Sequence, residues 1–195
     1  MGVHTAAVTS TEDLRLKTRL ACWTALAVGA LVVAPAVKAN TGHRAHVHGV
    51  ASMSLSLDAT ELLIELELPL DTLVGFERAP RTPAEREAAA AVLTRLRETA
   101  QAFRLWPEGA CRVQEAAVQA PVLEGAAAPR EGHADAKVQV RWQCNAGTPP
   151  QRLDVLLFGS FKRLERVNVQ MVLPQGQRKA VVRRAAPELS LQGTR

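Results

Sequence analysis

Residues 46–69, "HVHGVASMSLSLDATELLIELELP", carry the clearest indication of the fold. Apolar and polar residues alternate over 47–57, which is the period-two pattern of a half-buried β-strand. After "DATE" at 58–61, leucines and an isoleucine alternate with glutamates over 62–68. Two alternating segments on either side of a four-residue turn predict a β-hairpin with one apolar face and one polar face.

The turn also predicts the register of this hairpin. Matching the two apolar faces across a four-residue turn pairs Leu57 with Leu62. Continued to the open end of the hairpin, the same register places His48 opposite Asp71. The sequence therefore predicts that an imidazole and a carboxylate lie close together although they are far apart in the chain.

A helix is predicted after the hairpin. Thr82 and Glu85 have the spacing of a capping box, and Pro83 occupies the first helical position. Apolar residues then recur at helical spacing. They are Ala89, Val92, Leu93, Leu96, Ala100 and Phe103. We expect one long helix over 83–103 whose apolar stripe covers the apolar face of the sheet.

Alternating and apolar segments in the second half predict more strands, and "SFKRLE" predicts a short helical turn after one of them. The strands are expected at 111–118, 136–144, 152–158, 166–173 and 178–184. The segment 119–135, "QAPVLEGAAAPREGHAD", has no apolar periodicity and is expected to be a flexible loop. The predicted fold class is α+β, an antiparallel β-sheet built from hairpins with one long covering helix.

Residues 1–39 are typical of a cleaved secretory signal peptide. Basic residues precede an uncharged apolar segment at 20–37, and Ala39 ends a small-residue cleavage motif, "VKA". A transmembrane anchor is the alternative, because about 18 apolar residues are near the lower limit for a span. We expect residues 40–195 to be a single periplasmic domain with no stable membrane anchor after cleavage.

The mature chain would keep two cysteines, Cys111 and Cys144. An even number of cysteines in an exported chain favours a disulfide bond. Two free buried thiols are the alternative. A zinc site built on this pair is not favoured, because neither cysteine has a second cysteine nearby.

Three of the five histidines in the chain, His43, His46 and His48, lie within six positions. Neutral imidazole is a good ligand for zinc, copper and nickel. If the strand begins at 47, His46 and His48 project from one face with Cα atoms about 6.6 Å apart, and His43 can join them from the preceding segment. The fourth donor is left open between Asp71, Glu77, His133 and water. Polar residues with no metal-binding role are the alternative interpretation of the cluster.

Several motifs resemble the ZrgA-like family of zinc-regulated periplasmic proteins. They are the histidine cluster before "GVAS", "LVGFERAP" at 73–80, "EGHADAKVQVRWQC" at 131–144 and "LDVLLFGSFKRLERVNVQMV" at 153–172. The resemblance extends from about His43 to Leu191. It implies periplasmic zinc binding that supports zinc acquisition or buffering, without catalysis, and a zinc transport component as a candidate partner.

Two departures from the family pattern matter for zinc. The central loop of such proteins usually carries a long run of histidines and acidic residues, whereas His133 is the single histidine of the loop here. The family's "GFEHAP" reads "GFERAP", so that Arg78 replaces a potential ligand. The N-terminal cluster is retained, and we therefore expect the zinc site there rather than in the loop.

Other functional classes find little support in the sequence. The chain has 24 Lys plus Arg against 19 Asp plus Glu, no Tyr and four Phe, and it lacks the basic patch with interleaved aromatics that nucleic-acid binding requires. No nucleophile–base pair or phosphate loop indicates an enzyme. A metal-free envelope module that binds a partner protein is the alternative to zinc binding.

Overall fold

The computed structural model describes residues 48–130 and 134–192. The predicted signal peptide, residues 1–39, lies outside the described residues. The described residues belong to one compact unit. Within them, no helix is long and apolar enough to cross a membrane.

The described part of the chain contains nine strands and three short or medium helices. The strands are β1 (Val50–Leu57), β2 (Glu61–Pro69), β3 (Phe103–Trp106), β4 (Cys111–Gln119), β5 (Asp135–Cys144), β6 (Arg152–Val155), β7 (Arg166–Leu173), β8 (Gly176–Arg183) and β9 (Glu188–Ser190). The helices are α1 (Leu70–Val74), α2 (Pro83–Arg97) and α3 (Leu157–Ser160). The fold is therefore mainly β.

The predicted hairpin is formed by β1 and β2, which pair antiparallel. Leu57 is the partner of Leu62, so the predicted register is confirmed. The turn is held by Asp58, whose side chain accepts hydrogen bonds from the backbone N–H groups of Thr60 at 2.9 Å and Glu61 at 2.8 Å. These two bonds stabilise the carboxylate and lower the pKa of Asp58.

The strands form two sheets rather than one. The larger sheet has six strands in the order β4-β5-β2-β1-β7-β8. The predicted antiparallel sheet is found in part, because β1 and β7 pair parallel, with Val50 opposite Arg166, whereas the other neighbours in this sheet pair antiparallel. A parallel pair needs a long crossover connection, and here that connection includes most of the remaining elements.

The smaller sheet has the order β3-β6-β9, and two of its strands were not predicted. Strand β6 ends at Val155 instead of residue 158, because Leu157 and Phe158 enter α3 and are buried. Strand β3 begins at Phe103, which pairs with Val155. Strand β9 is only three residues long, too short to produce an alternating pattern.

The prediction of one long covering helix is not confirmed. Helix α2 begins as expected, since Thr82 and Glu85 form both bonds of a capping box. It ends at Arg97, a short 3-10 turn follows over Thr99–Ala102, and Phe103 is already in β3. Helix α2 buries Ala89, Val92 and Leu96 in the core, and its main neighbours are α1 and β4.

The core lies against one face of the six-stranded sheet. The alternating positions of β1, β2, β5 and β7 that were predicted to be apolar are buried there. Phe103 of the small sheet contacts Trp142 of β5 edge to face, with ring centroids 5.9 Å apart. The opposite face of the sheet carries the serines of β1 and the glutamates of β2, as the alternation predicted.

The predicted loop is partly packed. Strand β4 ends at Gln119, and a hydrogen-bonded turn follows in which Ala126 N–H donates to Pro121 O at 2.9 Å. Val122 and Leu123 are 4% and 5% exposed and belong to the core. Their contribution was not predicted, because two apolar residues in a turn show no periodicity.

The disulfide prediction is confirmed. Cys111 and Cys144 are register partners on β4 and β5 and are bonded, with Cα atoms 4.0 Å apart. The bond joins the edge strand β4 to the interior of the sheet, because β5 is its only strand neighbour among the described residues. The bond also closes the chain segment that contains the partly packed loop.

Candidate metal centre

The start of β1 differs from its prediction. The strand begins at Val50, and Gly49 before it has a φ of +75°, a left-handed conformation that interrupts strand geometry. His48 therefore lies in a turn and not on the strand. The expectation that His48 lies on the strand is wrong for this reason, and His46 itself lies outside the described residues.

Gly49 fixes the position of this turn through its backbone. Its N–H donates to Thr72 Oγ1 at 3.1 Å, and its carbonyl accepts from the N–H groups of Glu165 at 2.8 Å and Arg166 at 3.1 Å. Thr72 is 2% exposed. Three segments of the chain, which precede β1, follow β2 and precede β7, are thereby held together at one end of the large sheet.

The predicted pairing of His48 with Asp71 is present. The hairpin ends at Pro69, and Asp71 lies in the first turn of α1, where its Oδ2 contacts His48 Nδ1. The Asp71 side chain is 14% exposed and the His48 side chain is 90% exposed. Asp71 Oδ1 also accepts a hydrogen bond from the Thr72 hydroxyl at 3.4 Å, which limits rotation of the carboxylate.

The contact has a consequence for the imidazole of His48. A carboxylate at Nδ1 favours the tautomer in which Nδ1 carries the proton. The other ring nitrogen, Nε2, then presents a lone pair toward solvent. An imidazole held in this way is prepared to bind a metal ion, because metal-binding histidines commonly donate their second N–H to a carboxylate or carbonyl.

Arg163 and Gly75 complete the wall of the pocket. Gly75 ends α1 in the left-handed conformation, at φ +86°, and its N–H donates to Asp71 O at 2.8 Å. Arg163 Nη1 donates to the same carbonyl at 3.3 Å. Its guanidinium occupies the space where a side chain at position 75 would lie, so only glycine allows this arrangement without displacing it. The open pocket is lined by His48, Gly49, Asp71, Thr72, Gly75, Arg163 and Glu165.

Arg78, which replaces a potential histidine ligand, has a structural partner. Its guanidinium donates to both carboxylate oxygens of Glu85, at 2.9 Å and 2.6 Å, and lies 5.2 Å from the centre of the Phe76 ring. Arg78 and the backbone N–H groups of Arg81 and Thr82 together lower the pKa of Glu85 to about 2. Arg78 therefore connects "GFERAP" to the start of α2.

The predicted ligands are brought together only in part. His48 and Asp71 share a pocket, whereas Glu77 is half-buried and is not among the residues that line it. His43, His46 and His133 lie outside the described residues. Within 48–130 and 134–192, no three side chains of His, Cys, Asp or Glu are placed to hold a metal ion together.

Sequence reasoning missed Arg163 and Glu165 at this pocket. Both belong to "SFKRLE", which was predicted to be a helical turn, and neither has a spacing that indicates a site. The parallel pairing of β1 with β7 brings them next to Gly49. The sequence could have indicated Arg163 and Glu165 only if the pairing of β1 with β7 had been known.

The fold and this pocket define a class of protein. It is a mainly β domain that is crosslinked by the Cys111–Cys144 disulfide, and at the rim of its large sheet a carboxylate orients a histidine. The chain belongs to the family described as ZrgA family zinc uptake protein, whose match covers residues 45–191. A search of the curated proteins found no match. The resemblance seen in the sequence is confirmed, and membership indicates a role related to zinc.

Proposed function

We propose that this chain is an exported, periplasmic and non-catalytic zinc-binding protein that buffers zinc or supports its acquisition. The observation that carries the proposal is the contact between His48 Nδ1 and Asp71 Oδ2 at the rim of the large sheet. It is supported by membership of a zinc uptake family and by the signal-like sequence at 1–39. Zinc is the cargo in this proposal.

The proposed ligand set is centred on His48 Nε2. His46 and His43 are close in the chain and supply two further neutral imidazoles, which are good zinc ligands. Asp71 takes a different role from the one expected from sequence, since its carboxylate orients His48 instead of binding the ion directly. Glu77, His133 or water supplies the fourth position of a tetrahedral site.

The exposure of the site favours reversible binding. The His48 side chain is 90% exposed, and the proposed set contains no thiolate, so the ion is not enclosed by the protein. Such a site can exchange zinc with a transport component. Copper and nickel bind histidine sites as tightly as zinc or more tightly, so these ions are natural competitors in any test.

The test is calorimetric titration of tag-free residues 40–195 with zinc at pH 7.4. We expect His46→Ala/His48→Ala to remove most of the binding and His43→Ala to weaken it less, because His43 lies farther from the anchored end of the segment. Because imidazole ligands must be deprotonated, affinity should fall at pH 5.5, below the ordinary histidine value of about 6.5.

Asp71→Asn tests the orienting role of the carboxylate. We expect a loss of about 10- to 100-fold in zinc affinity, the usual effect of removing an outer partner of a metal ligand. Glu67→Gln, an acidic residue of β2 that pairs with Lys137 at 3.1 Å, is the control and should not change affinity. If the double histidine variant binds zinc as tightly as the natural chain, the site is rejected. If the natural chain binds no metal, the metal-free interaction module is favoured.

A further inference from the structure

Glu165 lies beside the proposed metal site, and neither the sequence patterns nor the family match assigns it a role. Its backbone N–H donates to Gly49 O at 2.8 Å, next to His48 in the chain. A Cβ placed on Gly49 would lie 3.0 Å from Glu165 Cγ and 3.1 Å from Cδ. The Glu165 side chain thus extends across Gly49 and lines the same pocket as His48 and Asp71.

The carboxylate of Glu165 has no partner within the described part of the chain. Its neighbour Arg163 donates to the carbonyl of Asp71 instead. By contrast, the glutamates of the large sheet at positions 61 and 67 form ion pairs with Arg141 and Lys137. An exposed carboxylate with a fixed backbone and no ion-pair partner is available to bind a cation at the pocket mouth.

We propose that Glu165 supplies the fourth zinc ligand, in place of Glu77, His133 or water, as a carboxylate that closes on the ion held by His48. This inference rests on the proposed function. Carboxylate oxygens are ordinary zinc ligands beside imidazole, and Asp71 and Glu165 together would offset the charge of a divalent cation. In the structure, the side chains of His48, Asp71 and Glu165 are not placed to hold a metal ion together. Because Glu165 is exposed, it can rotate toward the ion at the cost of side-chain entropy.

The alternative is that Glu165 only packs over Gly49 and helps to hold the turn. Glu165→Gln separates the two roles, because glutamine keeps the length and packing of the side chain but is a much poorer ligand. A packing role predicts unchanged zinc affinity in this variant. A ligand role predicts a clear loss, together with partial recovery in Glu165→His, which restores a donor at the same position.

The experiment is competitive titration with zinc and a chelator of known affinity, on tag-free residues 40–195 at pH 7.4. We expect Glu165→Gln to weaken binding at least about tenfold, since even outer partners of metal ligands have effects of this size. Glu188→Gln is the matched control, because Glu188 is an exposed glutamate on β9, away from the pocket. The natural chain, Glu165→Gln and Glu188→Gln should have equal unfolding midpoints in EDTA.

A second readout uses Co²⁺ as the probe. If Glu165 binds the metal, the visible absorption of the Co²⁺ form must differ between the natural chain and Glu165→Gln. Equal zinc affinities and equal Co²⁺ spectra, with His48→Ala still impaired, would overturn the role of Glu165 and leave the proposed function intact. Absence of zinc binding by the natural chain would overturn both.

Discussion

The disulfide between Cys111 and Cys144 should provide a large part of the stability of this domain. The perturbation is the double variant Cys111→Ala/Cys144→Ala, compared with the natural chain in oxidised and reduced forms. In the part of the chain that the structure describes, β4 is an edge strand with β5 as its only strand neighbour. The ladder between the two strands is irregular between Val113 and Glu115. The covalent bond is therefore the firmest attachment of β4 to the sheet.

The magnitude follows from the length of chain that the bond closes. The two cysteines are 33 positions apart. In the chain-entropy description, closing a segment of this length in the unfolded state stabilises the folded protein by about 3.7 kcal/mol. For a domain of this size, each kcal/mol shifts the unfolding midpoint by roughly 2–4 °C, so we expect a decrease of about 7–15 °C.

The assay is equilibrium unfolding in urea, followed by fluorescence of the tryptophans and by circular dichroism. Reduced natural protein is the essential control, because it keeps both side chains and loses only the bond; the alanine variant also removes buried volume at Cys144, which is 5% exposed. Amide hydrogen exchange should show β4 opening before β2 and β1 in the reduced protein. A free energy of unfolding that changes by less than about 1 kcal/mol on reduction would refute the chain-entropy reasoning.

Three further predictions concern the loop, the turn before β1 and the start of α2. Leu123→Ala should lower the free energy of unfolding by about 2–5 kcal/mol, whereas Glu124→Ala beside it should change it by no more than about 0.5 kcal/mol; urea titration of both variants checks that the loop belongs to the core. Gly49→Ala should destabilise by about 1–2 kcal/mol in the same assay, because alanine is strained at a φ of +75°. The pKa of Glu85 is lowered to about 2, so its contribution to stability is complete above its ordinary value and is lost as the pH falls toward 2. Arg78→Gln should raise this pKa toward the ordinary value, which a carbon-detected NMR titration of the Glu85 carboxyl would measure.

Local patterns were sufficient for the hairpin and for one half of the candidate site. Alternation fixed which face of β1 and β2 is buried, and the turn fixed the register, because a slip by one residue would expose every leucine. That register brought His48 to Asp71. The start of α2 was also local, since the bonds of a capping box join residues three positions apart. The pairing of Cys111 with Cys144 followed from their number and the expected compartment.

Tertiary structure decided the features that depend on distant partners. The pairing of β1 with β7 has no local signal, because the two strands are more than a hundred positions apart, and this pairing alone brings Glu165 to Gly49. The same limit applies to the small sheet, where Phe103 leaves the helical stripe to pair with Val155. Val122 and Leu123 could not be predicted as core residues for the same reason, because their burial depends on packing against residues from other segments. Sequence thus determined the contacts made within a turn or a hairpin, where the chain itself holds the partners close. Folding of the whole domain decided the others, since packing energy outweighs local preference when partners come from separate segments.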